Sequence, residues 1–277
     1  MTALLERLLG RLPIGWLQLV HSKPRLAAAL AGVGFAIVLV FMQLGFMNAM
    51  IRSIGLPYLA LDADILILSS DANTLNDGSP VPRQRMFEAL GVEGVASATP
   101  VFLGKIDWKQ PDGTVRSLET FGVDPSARTF RSPEIDARRA DIQASDVALI
   151  DRGVRNVARD VFPAIDAGSP LVFENRGRTI TAVATFRVGG GFTADGYMVV
   201  SDQTFLKLFT NRSAGAPNLV LIRVEPGASA ALVAERLRAV LPAYDSAART
   251  IPEAIARDEA YEGSVRRLGI GFGFGGV

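Results

Sequence analysis

An α+β fold carried on one N-terminal transmembrane helix is what this sequence predicts, and three patterns point to it. Leu26 to Met50 contains no charged residue and only two strongly polar ones, Gln43 and Asn48. Beyond it, short strand-like runs such as Ala63 to Ser69 and Asn218 to Val224 are interspersed with stretches of helical period such as Gly227 to Leu241. Between them lie two strand-turn-strand signatures, centred on Gln110 to Gly113 and on Asn175 to Arg178.

The apolar run is read as a membrane span by length. A bilayer core about 30 Å thick is crossed by roughly 20 apolar residues rising about 1.5 Å each, and residues 26–50 supply that. A cleaved signal peptide also pairs basic residues with an apolar run, but its apolar part is about 7–15 residues long and ends at an A-x-A-like site. No such site follows here. Arg7, Arg11, Lys23 and Arg25 precede the span, whereas the nearest charges after it are Arg52, Asp62 and Asp64. Retention of Lys and Arg on the cytoplasmic side then puts residues 1–25 in the cytoplasm and 51–267 on the far side.

Within residues 1–25, Leu4, Leu5, Leu8, Leu9 and Leu12 share one helical face, away from Glu6, Arg7 and Arg11. An amphipathic helix of this kind lies on the cytoplasmic leaflet or packs against another subunit. Pro13 ends it, and Trp16 suits the membrane interface. Leu5, Leu8, Leu9, Leu12 and Trp16 are therefore candidate membrane or partner contacts.

Several function classes are excluded by composition. Net charge is +1 in 277 residues, which gives no electrostatic footprint for nucleic acid. The absence of cysteine removes disulfides, thiol catalysis and Cys-ligated metals. His21, the one histidine, precedes the span, so no Ser-His-Asp arrangement can form beyond the membrane. There is no G-x-x-x-x-G-K-[ST] and no H-E-x-x-H. Asp62 with Asp64 and Asp160 with Asp166 are the carboxylates closest to an acid/base pattern, and surface solubility accounts for them better. Arg128, Arg131, Arg138 and Arg139, mixed with Glu134, Asp136 and Asp141, read as a solvated mixed-charge loop or polar interface. No catalytic residue, metal site or cofactor site is assigned.

Past the span, a strand at Ala63 to Ser69, a helix at Arg83 to Leu90 and a strand at Val95 to Leu103 open the domain. Ile106 to Lys109 and Thr114 to Val123 flank the first turn, a strand at Val147 to Ile150 leads to a helix over Arg152 to Phe162, and Pro170 to Glu174 and Thr179 to Arg187 flank the second turn. A strand at Asn218 to Val224 and a helix at Gly227 to Leu241 follow, and Thr250 and Pro252 start a last helix running towards Arg267. The domain organisation this implies is a base of 57–103 with 197–251 around a hairpin-rich insertion, 104–196.

After the insertion comes the run Gly189 to Asp202, in which Gly190, Phe192, Asp195, Gly196, Ser201 and Asp202 stand out. A glycine-rich loop invites a phosphate-binding reading, but here it precedes a strand and no Lys-Ser/Thr follows. A structural turn fits better, with Ser201 or Asp202 capping a helix over Gln203 to Phe209.

The run Pro13, Ile14, Trp16, Leu17, Gln18, Leu19, His21, Lys23, Arg25, then Ala29 to Gly32, then Phe41 to Phe46 resembles the start of DevC-type permeases, small members of the MacB/FtsX superfamily of ABC transporter membrane subunits. The Gly190-x-Phe192-x-x-Asp195-Gly196 run followed by Ser201-Asp202 resembles that family's second recurring segment. The resemblance implies a bacterial inner-membrane permease with a periplasmic core domain. The implied partners are a cytoplasmic ABC ATPase subunit, a second permease copy, a periplasmic membrane-fusion adaptor and an outer-membrane channel. A lipid or glycolipid is the implied cargo. Ile270 to Gly275 resembles the opening of the family's second span, so 268–277 is expected to begin a span that the chain does not complete. The alternative is a single-span anchored binding or scaffold protein without transport activity.

Overall fold

The computed structural model describes residues 21–75, 77–110, 112–188 and 194–274. The chain forms two compact units, 1–51 and 52–277. In the first, helix α1 (Lys23–Ala60 over its whole length) shows apolar side chains all round, with Leu30, Phe35, Phe41 and Phe46 exposed. Its Lys23–Phe46 stretch is long and apolar enough to cross a membrane. A helix apolar on every side needs an apolar surrounding, which a bilayer provides. Leu5, Leu8, Leu9, Leu12 and Trp16 lie outside the described residues.

Among the described residues, the second unit is built on one mixed sheet of nine strands. In chain order these are β1 (Ile65–Leu68), β2 (Val95–Lys109), β3 (Val115–Val123), β4 (Val147–Asp151), β5 (Leu171–Asn175), β6 (Arg178–Phe186), β7 (Gly196–Ser201), β8 (Leu219–Val224) and β9 (Ala247–Thr250). They lie side by side as β5-β6-β4-β7-β3-β2-β8-β1-β9. Only β3 with β7 and β4 with β6 run parallel. The helices are α2 (Gln84–Leu90), α3 (Pro133–Ala137), α4 (Val161–Asp166), α5 (Asp202–Leu208), α6 (Ala230–Val240) and α7 (Ile251–Phe274). The α+β class expected from the sequence is the observed one.

Alternation along the strands sends side chains to two buried faces. In β1, Leu66 and Leu68 join a core with Val101, Leu103, Phe121, Phe186 and Tyr197. Ile65 and Ile67 face the opposite way, under α2 and α6, with Met86, Val233 and Leu237. Further along that second face, Phe102, Ile106, Trp108 and Leu118 pack with Phe205 and Phe209 around α5. All four residues of β1 are buried, as expected of a strand covered on both sides.

The expected base and insertion share this sheet. β2 passes through the 103/104 boundary without a break, pairing with β8 along its first half and with β3 along its second. The expected boundary rests on a change of period from Lys105, which the strand's change of partner produces without ending the strand. Gly104, within it, permits close approach, since a Cβ there would stand 2.5 Å from Cζ of Phe209. A second difference concerns Arg152 to Phe162. Most of it is turn, with Asn156 at φ 56°, and helix forms only at Val161–Asp166. β9 was not foreseen, because Ala-Ala-Arg-Thr has no alternating apolar pattern and becomes a strand through pairing with β1.

The second hairpin follows its turn chemistry. Asn175 pairs with Arg178, and Arg176 and Gly177 have φ of 52° and 72°, the left-handed pair that a two-residue type I′ connection requires. At the first hairpin, Gly113 has φ 84° and Asp112 accepts from the Thr114 amide at 2.9 Å.

Beneath α2, the buried Arg85 guanidinium donates to Glu88 at 2.7 Å and to Asp245 at 2.8 Å. The bond from Arg85 holds the Asp245 carboxyl below its ordinary 3.8. A carboxylate with a depressed folded pKa lends stability that is complete above the unfolded carboxylate range and lost as pH falls through the folded value. Asp245→Asn should therefore lower stability at neutral pH and flatten its decline between about pH 5 and 3, as urea unfolding across that range would show. Gly122 is a packing constraint of a different kind, since a Cβ there would lie 2.4 Å from Phe205 Cβ. Phe205 is fully buried and stacks on Phe209 at 4.3 Å, so it has no room to retreat. Gly122→Ala should cost about 1–3 kcal/mol of unfolding free energy by overpacking, and an unchanged urea midpoint would contradict this packing.

Candidate functional site

Two long helices leave the domain from neighbouring strands. α1 ends at Ala60, four residues before β1, and β9 passes into α7 with no intervening residue. β1 and β9 pair in register from Ile65 with Thr250 to Leu68 with Ala247. The start of α7 is set by a reciprocal cap: Glu253 accepts from the Thr250 amide at 2.8 Å, and the Thr250 hydroxyl accepts from the Glu253 amide at 3.4 Å. The Ile251 amide, a first-turn donor, is taken by the carbonyl of Asp64 at 3.1 Å.

The inner face of α7 carries Ile251, Ala254, Ile255 and Asp258, at the spacing of one helical stripe. Against it lies the end of α1, where the buried Gly55 faces Ile255. The Tyr58 hydroxyl donates to Oδ2 of Asp258 at 2.7 Å, across two hundred residues of chain. Both side chains are buried, at 2% and 6% exposure. Burial first, and the Asp258 charge second, push the Tyr58 hydroxyl well above its ordinary range, so it stays a donor at any physiological pH. A hydrogen bond to a buried charge is short-ranged and directional. It therefore fixes the angle and register of α7 against the end of α1.

The remaining sequence-marked residues serve the fold. Asp195 accepts from the Ser117 amide at 3.0 Å, and its own amide donates to the Ser117 carbonyl at 2.8 Å, which fastens the approach to β7 onto β3. Gly196 is held to glycine by Val154, whose Cγ2 would lie 2.4 Å from a Cβ. Ser201 caps α5 by accepting from the Thr204 amide at 3.1 Å. Asp202 follows as the first helical residue, and burial raises its pKa. Gly190 and Phe192 lie outside the described residues.

Of the carboxylates singled out earlier, Asp62, Asp64 and Asp166 are engaged, while Asp160 precedes α4 without a side-chain capping bond. Asp62 pairs with Arg223 at 3.0 Å and Arg128 at 3.4 Å, Asp64 accepts from the Val224 amide, and Asp166 accepts from Thr185. Arg138 pairs with Asp141 at 2.6 Å and Arg139 with Asp136 at 3.6 Å, as a mixed-charge surface would. Among the described residues no cluster of His, Asp and Glu is placed to hold a metal.

Sequence reading missed Tyr58 and Asp258. One signal was present: Asp258 falls on the apolar stripe of α7, where a carboxylate needs a partner. Tyr58 gave no such sign.

These features define a sheet-rich α+β domain carried on an N-terminal apolar helix. Residues 26–240 match the family model described as MacB-like periplasmic core domain. The chain belongs to that family, within the MacB/FtsX superfamily. Similar solved structures include the extracellular domain of the noncanonic ABC-type transporter YknZ from Gram-positive bacteria, at 10% identity and TM-score 0.40 over 64% of this chain and 91% of that one. The periplasmic region of MacB from Actinobacillus actinomycetemcomitans is similar at 12% identity and TM-score 0.43, over 73% and 92%. A domain of a permease protein from Porphyromonas gingivalis is similar at 17% and 0.41, over 70% and 89%. No curated protein matches the chain. The family match carries the assignment.

Tyr58→Phe keeps the ring and removes the bond to Asp258. It should destabilise the domain by about 1.5–3 kcal/mol, the usual cost of a lost hydrogen bond to a charged group. Thermal unfolding of the detergent-solubilised chain measures this, and an unaltered midpoint would show that the clasp contributes nothing.

Proposed function

We propose that this chain acts as the permease subunit of a MacB/DevC-like ABC exporter in the bacterial inner membrane. The single observation that supports this reading best is the match to the MacB-like periplasmic core domain family from residue 26 to 240, which takes in most of the apolar helix and strands β1 to β8. The basic residues before Leu26 orient the N-terminus to the cytoplasm and the 52–277 unit to the periplasm. ATP is hydrolysed by a separate cytoplasmic subunit, since the chain has no phosphate-binding loop of the P-loop kind.

In this reading two permease copies pair with two ATPases, and residues 1–25, with Leu5, Leu8, Leu9, Leu12 and Trp16, contact the leaflet or the ATPase. Helix α1 carries the motion of the membrane segment to the domain. The Tyr58–Asp258 clasp makes the end of α1 and the start of α7 move together. The 104–196 segment is the distal, partner-facing part, acting on a periplasmic membrane-fusion adaptor and an outer-membrane channel. The cargo is a lipid, a glycolipid or a similar amphiphile. Asp195 and Gly196 keep a structural role in setting β7, and Ser201 one in capping α5.

The cysteine-free sequence makes topology directly measurable. With single cysteines introduced at Thr2 and at Ser213, a membrane-impermeant maleimide should label Ser213→Cys in intact spheroplasts and Thr2→Cys only after lysis. Pull-down of the native permease should recover an ABC ATPase, and deletion of Thr2 to Leu12 should reduce that recovery. Labelling of Ser213→Cys only after lysis would overturn the orientation. Correct topology with no ATPase recovered would favour the single-span scaffold.

A further inference from the structure

The sheet ends at β9, whose free edge faces a cleft of about 520 Å³ lined by Arg238, Arg249, Arg257, Ser70, Ser246 and Glu253 among others. An exposed strand edge ordinarily offers its amides and carbonyls to another strand. Here two of those groups are already occupied. The carbonyl of Ala248 accepts from Nε of Arg238 at 2.9 Å, and the amide of Thr250 donates to Glu253 at 2.8 Å. Strand addition is therefore partly blocked, while the cleft remains open as a space.

Its charge is unbalanced. Glu253 is the acidic member of the lining, and it is paired with Arg238. Arg249 and Arg257 both donate to one neutral acceptor, the carbonyl of Ala72, at 3.1 and 3.3 Å, and Arg257 also reaches Asn73 Oδ1 at 2.9 Å. No ion pair to Arg249 or Arg257 is found among the described residues. Burial first and the neighbouring Arg257 second disfavour the charged form of Arg249. A guanidinium keeps its proton even so, because its ordinary pKa is far above neutrality. Three guanidiniums against one carboxylate leave two positive charges facing a single cleft.

We propose that this cleft binds a phosphate-type oxyanion, a phosphate or phosphomonoester group held by Arg249 and Arg257 with Arg238 at the rim. A phosphomonoester carries a charge of about −1.5 to −2 at neutral pH, which matches the two uncompensated guanidiniums. Its oxygens accept from several directions, as donors on α6, β9 and α7 require, and forked guanidinium donors suit that geometry. The group belongs to a soluble phosphate compound or to the headgroup of an anionic lipid. The site stands independently of the transport reading, since it needs neither an ATPase nor an adaptor.

The test is calorimetric titration of the full 277-residue chain in a neutral detergent with inorganic phosphate, at ionic strength held constant with chloride. A parallel titration uses short-chain phosphatidic acid, with phosphatidylcholine as the control. Saturable binding is expected, weakened about tenfold or more by Arg257→Gln and by Arg249→Gln, the loss of one charge-assisted contact. Arg257 is exposed, so its variant keeps the proposal testable should Arg249→Gln fail to fold. Arg236→Gln, at a residue paired with Glu93 outside the cleft, should bind as the unaltered chain does. Binding of both ligands identifies the phosphate group itself as the determinant. Binding of phosphatidic acid alone identifies a lipid headgroup, and of inorganic phosphate alone a soluble source. Binding of neither, or binding that survives Arg257→Gln undiminished, overturns the proposal.

Discussion

The antiparallel pairing of β1 with β9 is the constraint on which the rest of the domain depends. Each strand is only four residues long, yet one follows the end of α1 and the other leads into α7. Displacing one helix end from the other would shear that ladder and pull the Tyr58 hydroxyl from Asp258. Strand pairing and a charged, buried hydrogen bond resist different motions. The ladder opposes sliding along the strands, and the clasp opposes rotation of α7 about its own axis. A helix joined to the sheet in both ways moves as one body with it.

Close packing extends that rigidity across the sheet. Gly104 and Gly122 let Phe209 and Phe205 settle against β2 and β3 closer than any side chain would allow, and Gly196 does the same for Val154 over β7. β2, fifteen residues long, bridges the part of the sheet that holds α1 and α7 and the part that holds the β5–β6 hairpin. A densely packed interior transmits displacement instead of absorbing it. The domain is accordingly stiff between its helix ends and its far edge.

How much of this was legible depended on whether the signal was local. The apolar span, the two hairpin turns, the amphipathic α6 and a cap at Ser201 or Asp202 each rest on residues within one or two turns of each other; the structure has them where the sequence placed them, with Ser201 as the cap. The need for glycine at 104 is not legible, because the ring that requires it, Phe209, is more than a hundred residues away. Arg152 to Phe162 was misread as helix because its composition permits one, while Asn156 adopts a left-handed conformation and the segment turns. Of the site residues, Asp258 left a trace as a carboxylate on an apolar stripe. Arg249 left none, since Ala-Ala-Arg-Thr carries no strand period and a solvated arginine looks the same in sequence.

By itself the sequence determined the α+β class, the apolar helix, the positions of the two hairpin turns and the family, because composition, period and turn residues act over short stretches of chain. Only the tertiary structure decided that base and insertion share one sheet. The same is true of the meeting of Tyr58 with Asp258 and of the convergence of three arginines beside β9. Those are contacts between segments far apart in the chain, and their energies depend on burial and on neighbours that no local pattern specifies.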